Sequence, residues 1–196
     1  TLQDLNDVTP VVTVATFSIA EDIANSASVG TVAATDGDTS ATTFQSWTEA
    51  GGTGAAIFEI NAGTGEITVT NNSSLDFEGT QTYSYMVTVS DGTNTSAAET
   101  ITINLTDVND NAPVFTSATT ATPNENQTAV ITVTSSDADT VGSAVSYSLS
   151  GGADQGKFAI GSSSGVLSFS SAPDFEATED ADDNNVFIVQ VRANDG

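Results

Sequence analysis

FEINAGTGEITV at residues 58–69 reads as a short strand, a turn and a second strand, and a near copy, FAIGSSSGVLSF, stands at residues 158–169. Each half alternates apolar and polar residues, the period of a strand with one buried face, and the Gly, Asn, Thr and Ser between them supply a turn. Outward from this pair the same period recurs. ATDGD at 34–38 answers SSDAD at 135–139, LDFE at 75–78 answers PDFE at 173–176, VTVSDG ending at Gly92 answers VRANDG ending at Gly196, and DLND at 4–7 answers DVND at 107–110. A repeat of roughly 100 residues is a tandem of domains rather than a single large core.

Within each repeat, segments rich in Thr, Val and Ile alternate with turn residues, and no amphipathic helix is visible. The expected fold class is all-β: two tandem seven-stranded Greek-key, immunoglobulin-like β-sandwiches, the second lacking its last strand. In the first repeat strands are expected near 11–19, 28–35, 43–50, 57–61, 65–70, 82–90 and 98–106. Tyr83, Tyr85, Val87 and Val89 share one face, as do Ile101, Ile103 and Leu105, and these faces are the expected core. The second repeat copies the first six strands, ending with VFIVQVRAND at 186–195, and the sequence stops where the seventh is due. The expected organisation is the end of a preceding linker at 1–8, a first repeat at 9–106, a linker at 107–112 and a second repeat at 113–196. The missing strand is expected from a longer parent chain or, less simply, from another segment.

Twenty-six acidic side chains face two basic ones, Lys157 and Arg192, for a formal charge of −24. Such a chain repels nucleic acid and anionic membrane surfaces and favours divalent cations as partners. Its hydrophobic share of 38% separates it from disordered acidic tails. Absence of Cys and His removes disulfides, thiolate and imidazole metal sites, and histidine general bases. The longest apolar runs are strand-sized, so this stretch inserts into no membrane as a helix, and any targeting or anchoring segment is expected elsewhere.

Strand parity sorts the acids. With strands running alternately down and up, Glu21, Asp76, Glu78 and the DVNDN segment at 107–111 fall at one end of the first repeat. Asp137, Asp139 and Asp195 fall at the facing end of the second. Like charges about 5 Å apart repel by roughly 3 kcal/mol at an effective dielectric near 20, so the cluster needs a cation. Carboxylate, amide and carbonyl oxygens, six to eight at a time, are what Ca²⁺ takes, whereas Mg²⁺ keeps its waters.

Glu21, LDFE at 75–78, DVNDNAP at 107–113, DAD at 137–139 and the final NDG resemble, in order, the motifs of the cadherin repeat. The resemblance implies interdomain Ca²⁺ sites. Glu21, Asp76, Glu78 and Asp110 would hold a first ion. Glu21, Glu78, Asp107 and Asp110, with the Val108 carbonyl, would hold a second. Asn109, Asp137, Asp139, Asp195, the Asn111 carbonyl and a carbonyl near Gly142 would hold a third. At the amino end Asn6, Asp36, Asp38 and Asp91 form a candidate half-site, although Thr9 interrupts the pattern there. Glu125, Asp174 and Glu176 are a further half-set without a downstream linker.

The function expected from this resemblance is a calcium-dependent adhesive or structural module at the cell surface or outside the cell, and not an enzyme. Its expected partners are calcium, other copies of the repeat in homophilic adhesion, and a cell-surface or matrix ligand. The alternative is a carbohydrate-binding accessory module of a secreted polysaccharide-degrading enzyme, with Trp47 as its one aromatic candidate. A carboxylate-pair hydrolase ranks below both, because the acids gather at domain ends and not in an aromatic-lined pocket. The acidic stretch DFEATEDADDNN at 174–185 resembles a bacterial variant of the repeat, suggests a bacterial origin and reads as a solvated loop. Arg192 is expected to face outward and pair with a carboxylate.

Overall fold

In a computed structural model of the chain, residues 2–38, 44, 46–177 and 179–196 are described. The chain divides into two compact units, Thr1–Val108 and Asn109–Gly196. Both are all-β, their regular structure apart from strands being two short 3-10 turns at Asn72–Ser74 and Gln155–Lys157.

The first unit contains β1 (Val11–Val12), β2 (Thr16–Ala20), β3 (Ser28–Thr31), β4 (Ala34–Thr35), β5 (Ser46–Gly51), β6 (Phe58–Ile60), β7 (Glu66–Val69), β8 (Thr82–Ser90) and β9 (Glu99–Thr106). One sheet has the order β2-β9-β8-β5 and the other β3-β7-β6, with β1 paired to β4. Tyr83 lies opposite Ile103 and Tyr85 opposite Ile101 across the β8–β9 ladder. These residues, with Val87, Val89, Ile67 and Val69, fill the space between the sheets, and most are wholly buried. Trp47 is also in this core at 5% exposure, its edge toward Phe44. No sugar platform remains at that position.

The run expected as one strand at 11–19 is two. β1 pairs with β4, and β2 then joins the opposite sheet parallel to β9. Between them the Thr13 N–H donates to Ala33 O and the Thr102 N–H to Ala15 O, so the crossing backbone keeps partners. VVTVATF carries no Gly or Pro to mark this change of sheet. The expected strand at 28–35 is likewise split, because Val32 turns into the core at 2% exposure and donates its N–H to Gly65 O. Of the strand expected at 43–50, positions 43 and 45 lie outside the described residues, and the ladder begins at Ser46.

The second unit contains β10 (Val114–Phe115), β11 (Ala129–Thr132), β12 (Ser135–Ser136), β13 (Ser146–Gly151), β14 (Phe158–Ile160), β15 (Val166–Phe169) and β16 (Gln190–Asn194). Its pairings are β11-β15-β14, β10-β12 and β13-β16. The strand expected over 186–195 forms ladder only over 190–194. The core is small: Val133, Phe158, Leu167 and Phe169 are buried, with Phe158 stacked on Phe169 and Phe187 edge-on to both.

Candidate metal centres

The turn after β2 and the turn after β7 put Glu21, Asp76 and Glu78 together, with one carboxylate oxygen from each lying within 4.8 Å of the others. Glu21 is 5% exposed. Its Oε2 accepts the Phe77 N–H, and its Oε1 accepts the Val108 N–H at 2.9 Å, which ties the chain leaving β9 to this cluster. Asp76 Oδ1 accepts the Gly79 N–H at 3.1 Å, closing the LDFE turn. Asp107, half-buried, is the first residue beyond β9.

In the second unit, Asp137, Asp139 and Asp195 bring one oxygen each within the same 4.8 Å limit. Asn111 donates its backbone N–H to Asp139 Oδ2 at 2.9 Å and its side-chain amide to Asp139 Oδ1 at 2.8 Å. That amide also reaches Asp110 Oδ1 at 2.9 Å. Asn109 is lodged against Gly142: a Cβ built there would fall 2.8 Å from Asn109 Oδ1, and Gly142 has φ +102. The loop passes close to the linker amide, and its backbone conformation at Gly142 is one that favours glycine. The sequence-expected residues of this unit are therefore neighbours in the fold.

The amino-terminal half-set repeats this geometry. Asp36, Asp38 and Asp91 converge within 4.8 Å. The Val8 N–H donates to Asp38 Oδ2 at 2.9 Å, as the Asn111 N–H does to Asp139, and Val8 stands where Asn111 stands in the aligned linkers. Asn6 reaches Asp91 O at 3.5 Å. The Asp91 carboxyl is held below the ordinary carboxylate range, chiefly by the Asn94 backbone N–H, with burial opposing and the Thr93 N–H assisting. Thr9 does not disturb this arrangement, because the contacts are made by its neighbours.

The donor sets are all oxygen, and the two repeats share an orphaned carboxylate oxygen at one equivalent position. Asp36 Oδ2 and Asp137 Oδ2, at equivalent positions, are both buried without a hydrogen-bond partner among the described residues. A buried carboxylate oxygen left so is costly, by about 1–3 kcal/mol or more for a charged group, unless a cation takes it up. The same orphan at the same place in two repeats fits a hard divalent ion.

Glu125, Asp174 and Glu176 also converge within 4.8 Å, but all three are exposed. The Phe175 N–H donates to Glu125 Oε2 at 3.0 Å, reproducing the Glu21 contact. The Glu176 carboxyl is raised, first by its hydrogen bond with Asp174 and then by the charge of Glu125, the electrostatic signature of crowded acids.

In the acidic insert Asp182 and Asp183 are exposed, whereas Asp180, expected in a solvated loop, is buried, as is Asp154 outside the insert. Asp154 accepts the Ala181 and Ile188 N–H groups at 2.7 Å each, and Asp180 accepts those of Asn184 and Asn185. The segment is a set of turns stapled by carboxylates. Its Asp/Asn content was the available signal, since these side chains cap their own backbone. Among the described residues the ion pair is Lys157 Nζ to Glu179 at 3.5 Å, rather than one made by Arg192.

A family model described as the cadherin domain matches residues 15–106. Mouse Protocadherin Fat 4 is 34% identical over 185 residues, which takes in 90% of this chain and 4% of that protein. Mouse Cadherin-related family member 2 is 31% identical over 149 residues, 74% of this chain and 11% of that protein. The chain thus spans a small fraction of these relatives. Among solved structures, the human Desmocollin-1 ectodomain is 27% identical with a TM-score of 0.75, covering 98% of this chain and 38% of its own. Mouse Cadherin-23 EC22-24 is 25% identical with a TM-score of 0.70, covering 99% and 61%. These are animal proteins and lend no support to the bacterial origin suggested by the insert, nor to polysaccharide as a partner.

Proposed function

The chain is a member of the cadherin family, with a cadherin domain at residues 15–106 whose motifs recur in its second unit, and we propose that it is an extracellular, calcium-dependent adhesion or structural module. Ca²⁺ is held by Glu21, Asp76, Glu78, Asp107 and Asp110 with the Val108 carbonyl, and by Asn109, Asp137, Asp139 and Asp195 with carbonyls at Asn111 and near Gly142. Asn6, Asp36, Asp38 and Asp91 form a further half-site of the same chemistry. The observation that carries the reading is the pair of equivalent buried carboxylate oxygens, Asp36 Oδ2 and Asp137 Oδ2, each set among acids.

Ca²⁺ would supply the positive charge these acids lack. The chain's own residues do the orienting. Val108 is bonded to Glu21 of the first unit and Asn111 to Asp139 of the second, and three residues of chain reach at most about 10 Å. A cation sharing ligands with this short tether would stiffen it, and in a repeat array each stiffened linker lengthens a rod. Extracellular calcium modules bind at about 10⁻⁴–10⁻³ M, so such a switch is set by the medium outside a cell. Partners are then other copies of the repeat or a cell-surface or matrix ligand, and the module is not an enzyme.

The test is calorimetric titration of Ca²⁺ into metal-stripped protein, with Mg²⁺ as control and Asp110→Ala for comparison. Saturable Ca²⁺ binding at micromolar to millimolar affinity, weakened in the variant and not reproduced by Mg²⁺, is expected. Absence of saturable binding would leave the acids as solvating groups and the likeness to cadherins as one of fold alone.

A further inference from the structure

The chain carries five Asn-Xaa-Ser/Thr triplets, at Asn71, Asn72, Asn94, Asn104 and Asn126, and the fold treats them differently. Asn71 donates its amide to Ser74 Oγ at 2.8 Å and accepts the Ser73 hydroxyl at 2.7 Å, which engages the hydroxyls of both this triplet and the overlapping one at Asn72. Asn94 is half-buried and donates its amide to Val8 O at 3.1 Å, and its triplet ends in Ser96, only 7% exposed. Asn104 lies on β9 between β2 and β8, where its amide oxygen accepts the Thr82 hydroxyl at 3.0 Å. Asn126 is placed otherwise. It is exposed, as are Gln127 and Thr128, and it has φ +60, a conformation that Asn adopts in tight turns. The bonds that hold this triplet are made by its backbone: the Asn126 N–H donates to Pro173 O at 2.8 Å, and Thr128 O accepts the Phe169 N–H at 2.7 Å. In the first unit Asp22, which follows Glu21 as Asn126 follows Glu125, is exposed too, so the exposure belongs to the turn.

We propose that Asn126 is the N-linked glycan acceptor of this chain, taking an oligosaccharide from a lipid pyrophosphate donor. The inference rests on the extracellular reading above, since a chain on its way out of the cell is what meets such a donor. In the transfer the Asn126 Nδ2 attacks the anomeric carbon of the sugar. The Nδ2–C1 bond forms as the C1–O bond to the pyrophosphate breaks, the lipid pyrophosphate leaves, and one Nδ2 proton passes to a base of the transferring enzyme. The triplet is read on an extended chain, so what the fold decides is where a sugar can stay once the chain has packed. At Asn126 it continues outward into water and displaces neither a backbone bond nor a core contact. At Asn94 it would compete with the bond to Val8 O, and at Asn104 it would stand among the neighbouring strands and disturb the bond to Thr82. A bulky, hydrated glycan on this turn also bars lateral contact there.

The test is to secrete the intact chain from cultured animal cells behind a cleavable leader and to map its peptides by mass spectrometry. Enzymatic removal of N-glycans leaves Asp at each Asn that carried one. Expected are a glycan at Asn126, occupancy at Asn94 and Asn104 well below it, and loss of one glycan's mass in both Asn126→Gln and Thr128→Ala. The second variant keeps the asparagine and removes only the hydroxyl of the triplet. Removing the glycan is expected to leave the melting temperature and the Ca²⁺ titration unchanged. Secreted chain with Asn126 bare overturns the proposal while leaving the extracellular reading in place, whereas an occupied Asn126 with no Ca²⁺ binding overturns the calcium reading alone. Equal occupancy at Asn94 or Asn104 shows that the fold does not select the site, and a lower melting temperature in the glycosylated chain shows that the fold needs the bare side chain; either result also overturns the proposal.

Discussion

Asp36 and Asp137 are the residues at which charge and burial conflict most plainly, since each keeps one buried oxygen without a proton donor while its other oxygen accepts from the residue two further on. Replacing Asp137 by Asn removes the charge and keeps the shape. Calorimetry of Asp137→Asn is expected to show Ca²⁺ affinity at this set falling at least about tenfold, while the metal-free protein melts no lower than the parent, because a buried unpaired charge has been relieved. A variant that loses stability without metal and keeps its affinity would contradict this. Tyr85 offers a second test at the same scale. Burial in the core, with Glu49 and Glu59 adding to it, pushes its phenol up from 10.0 to about 12. The neutral phenol is the form the fold favours, so its contribution to stability is complete below pH 10 and is lost as pH rises through 12. Ultraviolet titration is expected to show phenolate from Tyr85 appearing only near pH 12 or on unfolding; ionisation at the ordinary value with the fold intact would refute the assignment.

Among the elements, the β6–turn–β7 hairpin and its copy β14–turn–β15 fix the register of both units. Asn61 Oδ1 accepts the Gly63 and Thr64 N–H groups, and Gly65 leaves the turn at φ +73. In the second unit Gly165 has φ +65, and a Cβ there would fall 2.1 Å from Val133 O. Gly165→Ala meets both an unfavourable backbone region and the Val133 backbone, so it is expected to cost about 1–3 kcal/mol for the conformation alone and more for the clash. Chemical denaturation resolved for the second unit measures it. A change below about 0.5 kcal/mol would mean that the turn relaxes freely. The repeat made these two hairpins legible, because FEINAGTGEITV and FAIGSSSGVLSF carry strand periodicity and turn residues together. The division of 11–19 into β1 and β2 was not legible, since Val12 and Ile19 are apolar in either sheet and only the position of β9 draws β2 across.

For the whole molecule, a charge of −24 opposes compaction, and ions bound to the folded form alone shift the balance by mass action. At free Ca²⁺ ten times the dissociation constant, each occupied site adds about 1.4 kcal/mol. For a unit near 100 residues this is a rise in melting temperature of about 6–11 °C per site. Differential scanning calorimetry with Ca²⁺ and then with chelator is expected to show a rise reversed on chelation; identical traces would leave calcium without a folding role. What the sequence determined by itself was the repeat, the all-β class and the identity of the clustering acids, because alternation, turn chemistry and motif spacing are local properties written into consecutive residues. Tertiary structure decided which oxygens are starved of donors, that Trp47 is core rather than platform, and that Asp154 and Asp180 staple the insert. Each of these depends on which distant segment packs against a residue, and burial set by such neighbours has no trace in the local pattern.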